Sequence, residues 1–564
     1  MKISNGQSRC ILTPTEPHER RICMRITTSL AGFRRLCSVA TALLLGLATS
    51  HAQTALNWQL DPQLPVLAEQ EAVAVLETLR DLTSIDSGTG QAAGISALAT
   101  QIENFAKGLG AQVDRVTPAS GVVGPNLVIT FKGIGKSKIL LISHMDTVYV
   151  AGTAAARPFR IDGNRAIAPG IADDKSGIAV FLHTMKLLKA RGFQDYERVT
   201  MVFNSDEERG SVGSRDLIRS QAQAHDVVLS GEPTSMNEAI VLATSGVGNT
   251  TIRLKVGGPF FAAEARPVEE LADLILRSRN VQQQVAGTRM NWTVARAQDP
   301  RRLDQLVAPG QHFATLGFRI TGRASHAGVN PALGINAVVE MADLVRRTTE
   351  AAARQPGARL HWRSAGGGLV TNIIADRAQA VAELSLPAGT DPAPVIEALT
   401  QIATQALLPG AQISAEISNG LVTLAGDTGE AYASADMRVP DQAAFAQLSQ
   451  AARQLINRQK FPSSSINIQD GLGFPAFNAS EEGRRLAAMA RDIYAALGGT
   501  LQLWPRTYGG TDAAWASQSG KPVVESFGLP GGNYHSSDEE FVLIDRIPRR
   551  LLLAAEMIRA LTRP

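Results

Sequence analysis

Cysteine is scarce: the 564 residues hold three, Cys10, Cys23 and Cys37, all within the first 52. The rest of the chain therefore has no thiol for a disulfide or a thiolate metal site. Aromatic residues make up 5% and charged residues 19%, and beyond the N-terminal region no apolar run approaches the roughly 20 residues that span a bilayer. Nor is there an excess of one charge. The net charge of +3 hides an asymmetry, because the first 52 residues carry seven Lys/Arg against two Asp/Glu, and the remainder carries 48 basic and 50 acidic residues. Such a balanced body has no global field to recruit nucleic acid or an anionic membrane. What remains, at 44% hydrophobic and with 50 Gly and 27 Pro, is material for a globular protein of two or more domains.

The basic N-terminal segment has the layout of an export signal. Arg25, Arg34 and Arg35 precede the apolar stretch 36–48, and Ser50 and Ala52 are small residues at the two cleavage positions. Residues 1–52 are expected to be a leader cleaved near Ala52, with Met24 the natural start, and the mature protein is expected to be secreted or periplasmic.

Hydrophobic spacing predicts helices over 69–82 and 95–109, then short strands at 127–131 and 138–143, the second running into His144. A helix over 177–191 and a buried strand over 198–204 follow, the strand ending in Asp206-Glu207-Glu208. Strands alternating with helices, with polar clusters at strand ends, describe an open α/β sheet whose site lies at its carboxyl edge. Between 247 and 470 the pattern changes to four strand-helix-strand units. The helices of the first two match as "VEELADLI" and "VEMADLV", and the third and fourth units open alike with "GLVTNIIADRAQAVAELSLP" and "GLVTLAGDTGEAYASADMRVP". That order is an internal repeat in which one βαββαβ sandwich is inserted into another. The expected layout is a catalytic domain of 53–246 and 471–564, an outer lid subdomain of 247–300 and 420–470, and an inner one of 311–418.

Histidine is also sparse, with seven beyond residue 52. Two stand in loop-like contexts rich in acids or glycine, His144 in "SHMDT" and His535 in "GGNYHSSDEE". The carboxylates at predicted strand ends are Asp146, Asp173 in "PGIADDKSG", Glu207 and Glu208 in "NSDEERGS", and Glu232 in "SGEPTS". Imidazole with carboxylate suits zinc or a similar divalent metal, and one carboxylate shared by two cations makes a dinuclear site sensible. Of two adjacent glutamates at a strand end, one can bind metal while its neighbour takes a proton from the attacking water. A lone His-x-Asp or acidic run is usually a solvated turn; the weight lies in their joint occurrence.

In order and spacing, "LLISHMDTVY", "PGIADDKSG", "FNSDEERGSVGSRDLI", "SGEPTS", "GRASHAGVNPALGINA", "YGGTDAAWASQSGKPVVESFGLPGGNYHS" and "IPRRL" resemble the secreted glutamate carboxypeptidases, relatives of the aminoacylases, succinyl-diaminopimelate desuccinylases and carnosinase-like dipeptidases. The resemblance implies an open mixed-sheet α/β zinc-peptidase domain and two Zn2+, with Co2+ among the other metals such ligands accept. One zinc would be held by His144, Asp173 and Glu232, the other by Asp173, Glu208 and His535. Glu207 would be the general base and then the acid that protonates the leaving amine, and Asp146 would fix the tautomer of His144. The peptide bond after Asp173 would be cis. His326 in "RASHAG" would donate to the developing oxyanion, with Asn372 close by, and Arg438 in "ADMRVP" would bind the substrate's terminal carboxylate.

The repeat divides this last set. The inner copy has His326 and Asn372 but Ser385 where the arginine is expected; the outer has Arg438 but Leu424 in place of the asparagine and no histidine motif in "VGGPFFAAEARP". Together they make one full set, and the resemblance to dipeptidases with a doubled lid implies an intrachain pseudo-dimer of lids active as a monomer. Arg438 and the turn containing Gly510 and Thr511 imply a small peptide or N-acyl amino acid substrate with a free carboxylate. Carboxypeptidase activity comes first, a dipeptidase or N-acyl-amino-acid hydrolase second, and a silent metal-binding protein is a remote third that the presence of Glu207 disfavours. Glutamate-selective relatives carry a lysine shortly after the last glutamate ligand, whereas 233–246 here contains neither Lys nor Arg.

Overall fold

The computed structural model describes residues 59–563 apart from 257–265, 329–330, 425–428, 457, 459, 462–464 and 536–538. The expected leader and its cleavage site lie outside the described residues. Among the described residues no helix is long and apolar enough to cross a membrane.

The first sheet is built from β1 (Gln112–Val116), β2 (Asn126–Lys132), β3 (Ser137–His144), β4 (Tyr196–Asn204) and β5 (Val227–Ser230), in the order β1-β2-β4-β3-β5 with Val523–Val524 beyond β5. β1, β2 and β4 pair antiparallel, while β4, β3, β5 and Val523–Val524 run parallel, so the sheet is mixed. β3 and β4 read as near-continuous apolar runs because both faces of a central parallel strand are covered. One cover is the helix Lys175–Ala190, buried along most of its length and packed with Leu64–Thr83 and Ile547–Leu561. The last of these brings the C-terminal segment back onto the domain that opened the chain.

The second sheet is wholly antiparallel and eight-stranded. Its strands are β6 (Gly246–Val256), β7 (Arg289–Gln298), β8 (His312–Thr321), β9 (Arg359–Gly367), β10 (Arg377–Leu386), β11 (Gln412–Asn419), β12 (Gly429–Val439) and β13 (Ser465–Phe474), in the order β11-β8-β10-β9-β7-β12-β6-β13. Side chains of β6 alternate buried and exposed, as one covered face requires. Two helices, Pro267–Gln284 and Ala337–Ala353, pack on one another, and Leu274, Ile275, Leu344 and Val345 share a core with Trp292 and Trp362.

The sequence repeat has a structural counterpart in polar contacts. Glu270 accepts the backbone N–H groups of Lys460 (3.1 Å) and Phe461 (2.8 Å), and Glu340, its match in the second helix, accepts those of Leu407 (2.9 Å) and Leu408 (2.8 Å). The corresponding carboxylates thus tether residues beyond the helices Gln442–Ile456 and Pro392–Ala403 respectively. The two halves meet where β7 pairs with β9, Val294 opposite Gly367. Beside that seam the fully buried Arg363 pairs with Glu383 and donates to the carbonyls of Asp299 (2.9 Å) and Pro300 (3.2 Å). Glu383 in turn accepts the N–H of Leu303 (3.2 Å) and Val422 (2.7 Å), so one ion pair holds the segment between β7 and β8 and the segment between β11 and β12.

Predicted boundaries lie within a few residues of the observed ones, with one larger shift: the first helix starts at Leu64, where Pro65 occupies its first turn.

Candidate active site

His144 closes β3, and the residues after β4 and β5 carry Glu207, Glu208 and Glu232, so three neighbouring strands deliver their polar ends to one edge. The turn before Lys175–Ala190 adds Asp173, followed by a cis Asp173–Asp174 peptide bond. His535, at φ 52°, comes from the loop after Pro530–Gly532.

Asp173 lies between the two imidazoles. Its Oδ1 is 3.1 Å from His144 Nε2, and its Oδ2 is 3.2 Å from His535 Nε2. His535 Nε2 is also 2.9 Å from Glu208 Oε1, while His144 Nε2 is 3.8 Å from Glu232 and 3.9 Å from Glu207. Two groups with ligand atoms within 4.8 Å of one another result: His144, Glu207 and Glu232, and Asp173, Glu208 and His535. The first differs from the expected trio by containing Glu207, although Asp173 is closer to His144 than either glutamate is.

Four carboxylates facing two imidazoles leave a buried excess of negative charge. Burial pushes Glu207 and Glu232 well above the usual carboxylate range, and the neighbouring carboxylates add to it. Burial favours neutral imidazoles, yet hydrogen bonds and charge from those carboxylates hold His144 and His535 well above the usual histidine value. Oε1 of Glu207 and Nδ1 of His535 are buried without a hydrogen-bond partner among the described residues. Divalent cations would neutralise this excess, and the donor set of imidazole and carboxylate fits them.

Asp146 is fully buried beneath the cluster. His144 Nδ1 is 2.9 Å from the Asp146 carbonyl oxygen and 3.4 Å from its carboxylate. The carboxylate also accepts the N–H of Glu207 (3.0 Å), the N–H of Glu208 (3.2 Å) and the hydroxyl of Thr89 (2.6 Å). It therefore fixes the backbone of both glutamates as well as the face of His144.

The lid contributes the opposite wall. The His326 ring lies on that of His535 with centroids 4.4 Å apart, and its Nδ1 accepts the N–H of Gly328 (2.9 Å). That bond places the ring proton on Nε2. Burial, then the charges of His535 and Arg438, push His326 well below its usual value, so the ring is neutral. Arg438 is nearly buried, donates two bonds to Asp436 (2.6 and 2.7 Å) and one to the carbonyl of Tyr508 (3.2 Å), and keeps further N–H groups for a ligand. Both residues line a cavity of about 950 Å³ with Asp173, Glu207, Glu208, Glu232, His535, Asn372, Gly510 and Thr511. Gly510 approaches Val247 so closely that a Cβ would sit 2.3 Å from its Cγ2, and Thr511 Oγ1 is buried without a hydrogen-bond partner among the described residues.

Sequence reasoning did not single out Asp512, Asp174 or Glu540. Asp512 accepts a hydrogen bond from Ser211 and burial pushes it up to about 7; its charge acts on Glu207. Asp174 accepts from the Ser143 hydroxyl and from the His144 N–H (3.3 Å). All three sit inside motifs already quoted, but their partners lie in distant segments, which spacing along the chain does not reveal.

The chain matches the peptidase family M20/M25/M40 over residues 140–560. Over 520 residues it is 37% identical to carboxypeptidase G2 of Pseudomonas sp. (strain RS-16), covering 92% of this chain and 97% of that protein. Over 104 residues it is 38% identical to a putative succinyl-diaminopimelate desuccinylase of Mycobacterium tuberculosis, 18% of this chain and 27% of that one. Among solved structures, human carnosine dipeptidase 1 aligns over 89% of this chain and 99% of its own, with a TM-score of 0.49 and 11% identity.

Proposed function

The chain belongs to peptidase family M20/M25/M40, and on that premise we propose that it is an exported dizinc hydrolase cleaving an amide bond next to a free carboxylate, first as a carboxypeptidase releasing a glutamate-like C-terminal residue. One observation carries this reading: a single cavity holds the acid-imidazole cluster and, across from it, a neutral histidine and an arginine. His144, Asp173 and Glu232 would hold one zinc and Asp173, Glu208 and His535 the other. When bound, such metals polarise an amide carbonyl and make water more acidic.

The remaining work falls to side chains. Glu207, its backbone held by Asp146, takes the proton of the attacking water and returns it to the departing nitrogen. His326 offers Nε2–H to the oxyanion, with Asn372 beside it, and Arg438 receives the substrate carboxylate while Gly510 and Thr511 leave room for it.

The lid is read as two nested ferredoxin-like subdomains, with the domain bounds given under Sequence analysis. The order β11-β8-β10-β9 of the inner four strands repeats in β13-β6-β12-β7 of the outer four, which supports that reading. His326 from the inner copy and Arg438 from the outer reach one cavity of one chain, which supports a pseudo-dimer working as a monomer.

Kinetics on folyl-glutamate, unblocked dipeptides and N-acetyl amino acids separate carboxypeptidase from dipeptidase and N-acyl-amino-acid hydrolase. With the preferred substrate, Arg438→Ala is expected to raise KM about 10–100-fold, the worth of a charge-assisted hydrogen bond. The C-terminal amide of that substrate should be poor for wild type and no poorer for the variant. A variant that loses equally on acid and amide would remove Arg438 from carboxylate recognition.

A further inference from the structure

Glu540 stands next to the strand Phe541–Leu543, five positions beyond His535, and is 2% exposed. Its carboxylate takes hydrogen bonds from four donors. Oε1 accepts the N–H of Ala172 (2.8 Å) and of Asp173 (3.0 Å); Oε2 accepts the N–H of Gly170 (3.0 Å) and the hydroxyl of Tyr149 (2.7 Å). Its own carbonyl receives the N–H of Ala168 (3.2 Å). The charge of Glu540 favours the protonated form of the buried Lys175, which donates to the Ile85 carbonyl (3.1 Å).

The three segments joined in this way carry His144, Asp173 and His535; Glu208 and Glu232 come from two others. Tyr149 lies five residues after His144, Gly170 to Asp173 form the turn that presents Asp173, and Glu540 follows His535 on the same connection. A glutamine cannot accept all four bonds. Glutamine has one acceptor oxygen, so its NH2 group would confront an N–H donor of the turn and leave it unpaired in the interior.

We infer that Glu540 is a positioning residue for the shared carboxylate: by accepting three backbone N–H groups of the turn itself it holds Asp173 between His144 and His535 and sets the affinity of the metal pair. The inference rests on the dizinc reading given above. It assigns Glu540 no contact with substrate.

The test uses the full chain stripped of metal and titrated with zinc against a competing chelator, with the melting temperature of the apo-protein measured beside it. Glu540→Gln is expected to weaken at least one of two zinc sites tenfold or more and, at saturating zinc, to lower kcat while KM stays within twofold. Tyr149→Phe, which removes one of the four bonds, is expected to weaken zinc about two- to fivefold. A purely structural role would lower the apo melting temperature and leave zinc affinity alone. If folded Glu540→Gln binds two zinc ions as tightly as wild type, the inference is overturned; should that variant not fold, wild-type affinity in Tyr149→Phe overturns it. A wild-type chain that binds no zinc pair overturns the dizinc reading as well.

Discussion

Glu207→Gln is expected to cut kcat by about 10²–10⁴-fold, the range of a positioned general base, and to leave metal content at its wild-type level. Glu207 Oε1 is buried without a hydrogen-bond partner among the described residues, Glu207 lines the cavity together with the acid-imidazole cluster, and its backbone N–H is bound to Asp146 at 3.0 Å. The side chain is thus oriented without being consumed by the fold. Its carboxylate also lies 3.9 Å from His144 Nε2, inside the first of the two ligand groups. A ligand role and a proton-transfer role therefore make opposite forecasts for the same variant. Plasma emission analysis of dialysed Glu207→Gln, together with single-turnover kinetics, separates them: full metal with lost turnover is the proton-transfer result, and lost metal is the ligand result.

Removing the shared carboxylate is expected to have the larger effect on composition. Asp173→Ala takes away the oxygen atoms 3.1 Å from His144 and 3.2 Å from His535, so both cations lose a ligand at once. Dialysed protein should then retain fewer than two metals per chain, and kcat/KM should fall by at least about 10³-fold, since polarisation of the carbonyl contributes several kcal/mol. Chelation of the wild type should reproduce the loss, and added Zn2+ should restore wild type but not the variant. His326 lies across the cavity, its ring centroid 4.4 Å from that of His535. Metal loss confined to Asp173→Ala and absent from a His326 variant would show that the defect is one of ligation.

Much of this arrangement is legible in the sequence for a physical reason. A central parallel strand must be apolar on both faces, so a polar residue at its end is conspicuous, and His144, Glu207, Glu208 and Glu232 all stand out in that way. The lid repeat is legible because "VEELADLI" and "VEMADLV" share helical spacing, and the tethers of Glu270 and Glu340 explain why the acid recurs. Glu540 is a different case. In "HSSDEEF" it looks like one more solvated acid, and three of its four donors are backbone N–H groups some 370 positions earlier, which have no side-chain signature. The junction of β7 with β9 is hidden for a similar reason: strand pairing is carried by the backbone, and alternation along each strand reports which face is covered, not which edge is joined.

The most direct measurement is anomalous diffraction from zinc-loaded crystals of the full chain. The account requires two peaks per chain, one beside His144 and Glu232, the other beside Glu208 and His535, with the carboxylate of Asp173 reaching both. A single peak, or peaks remote from these side chains, would contradict it.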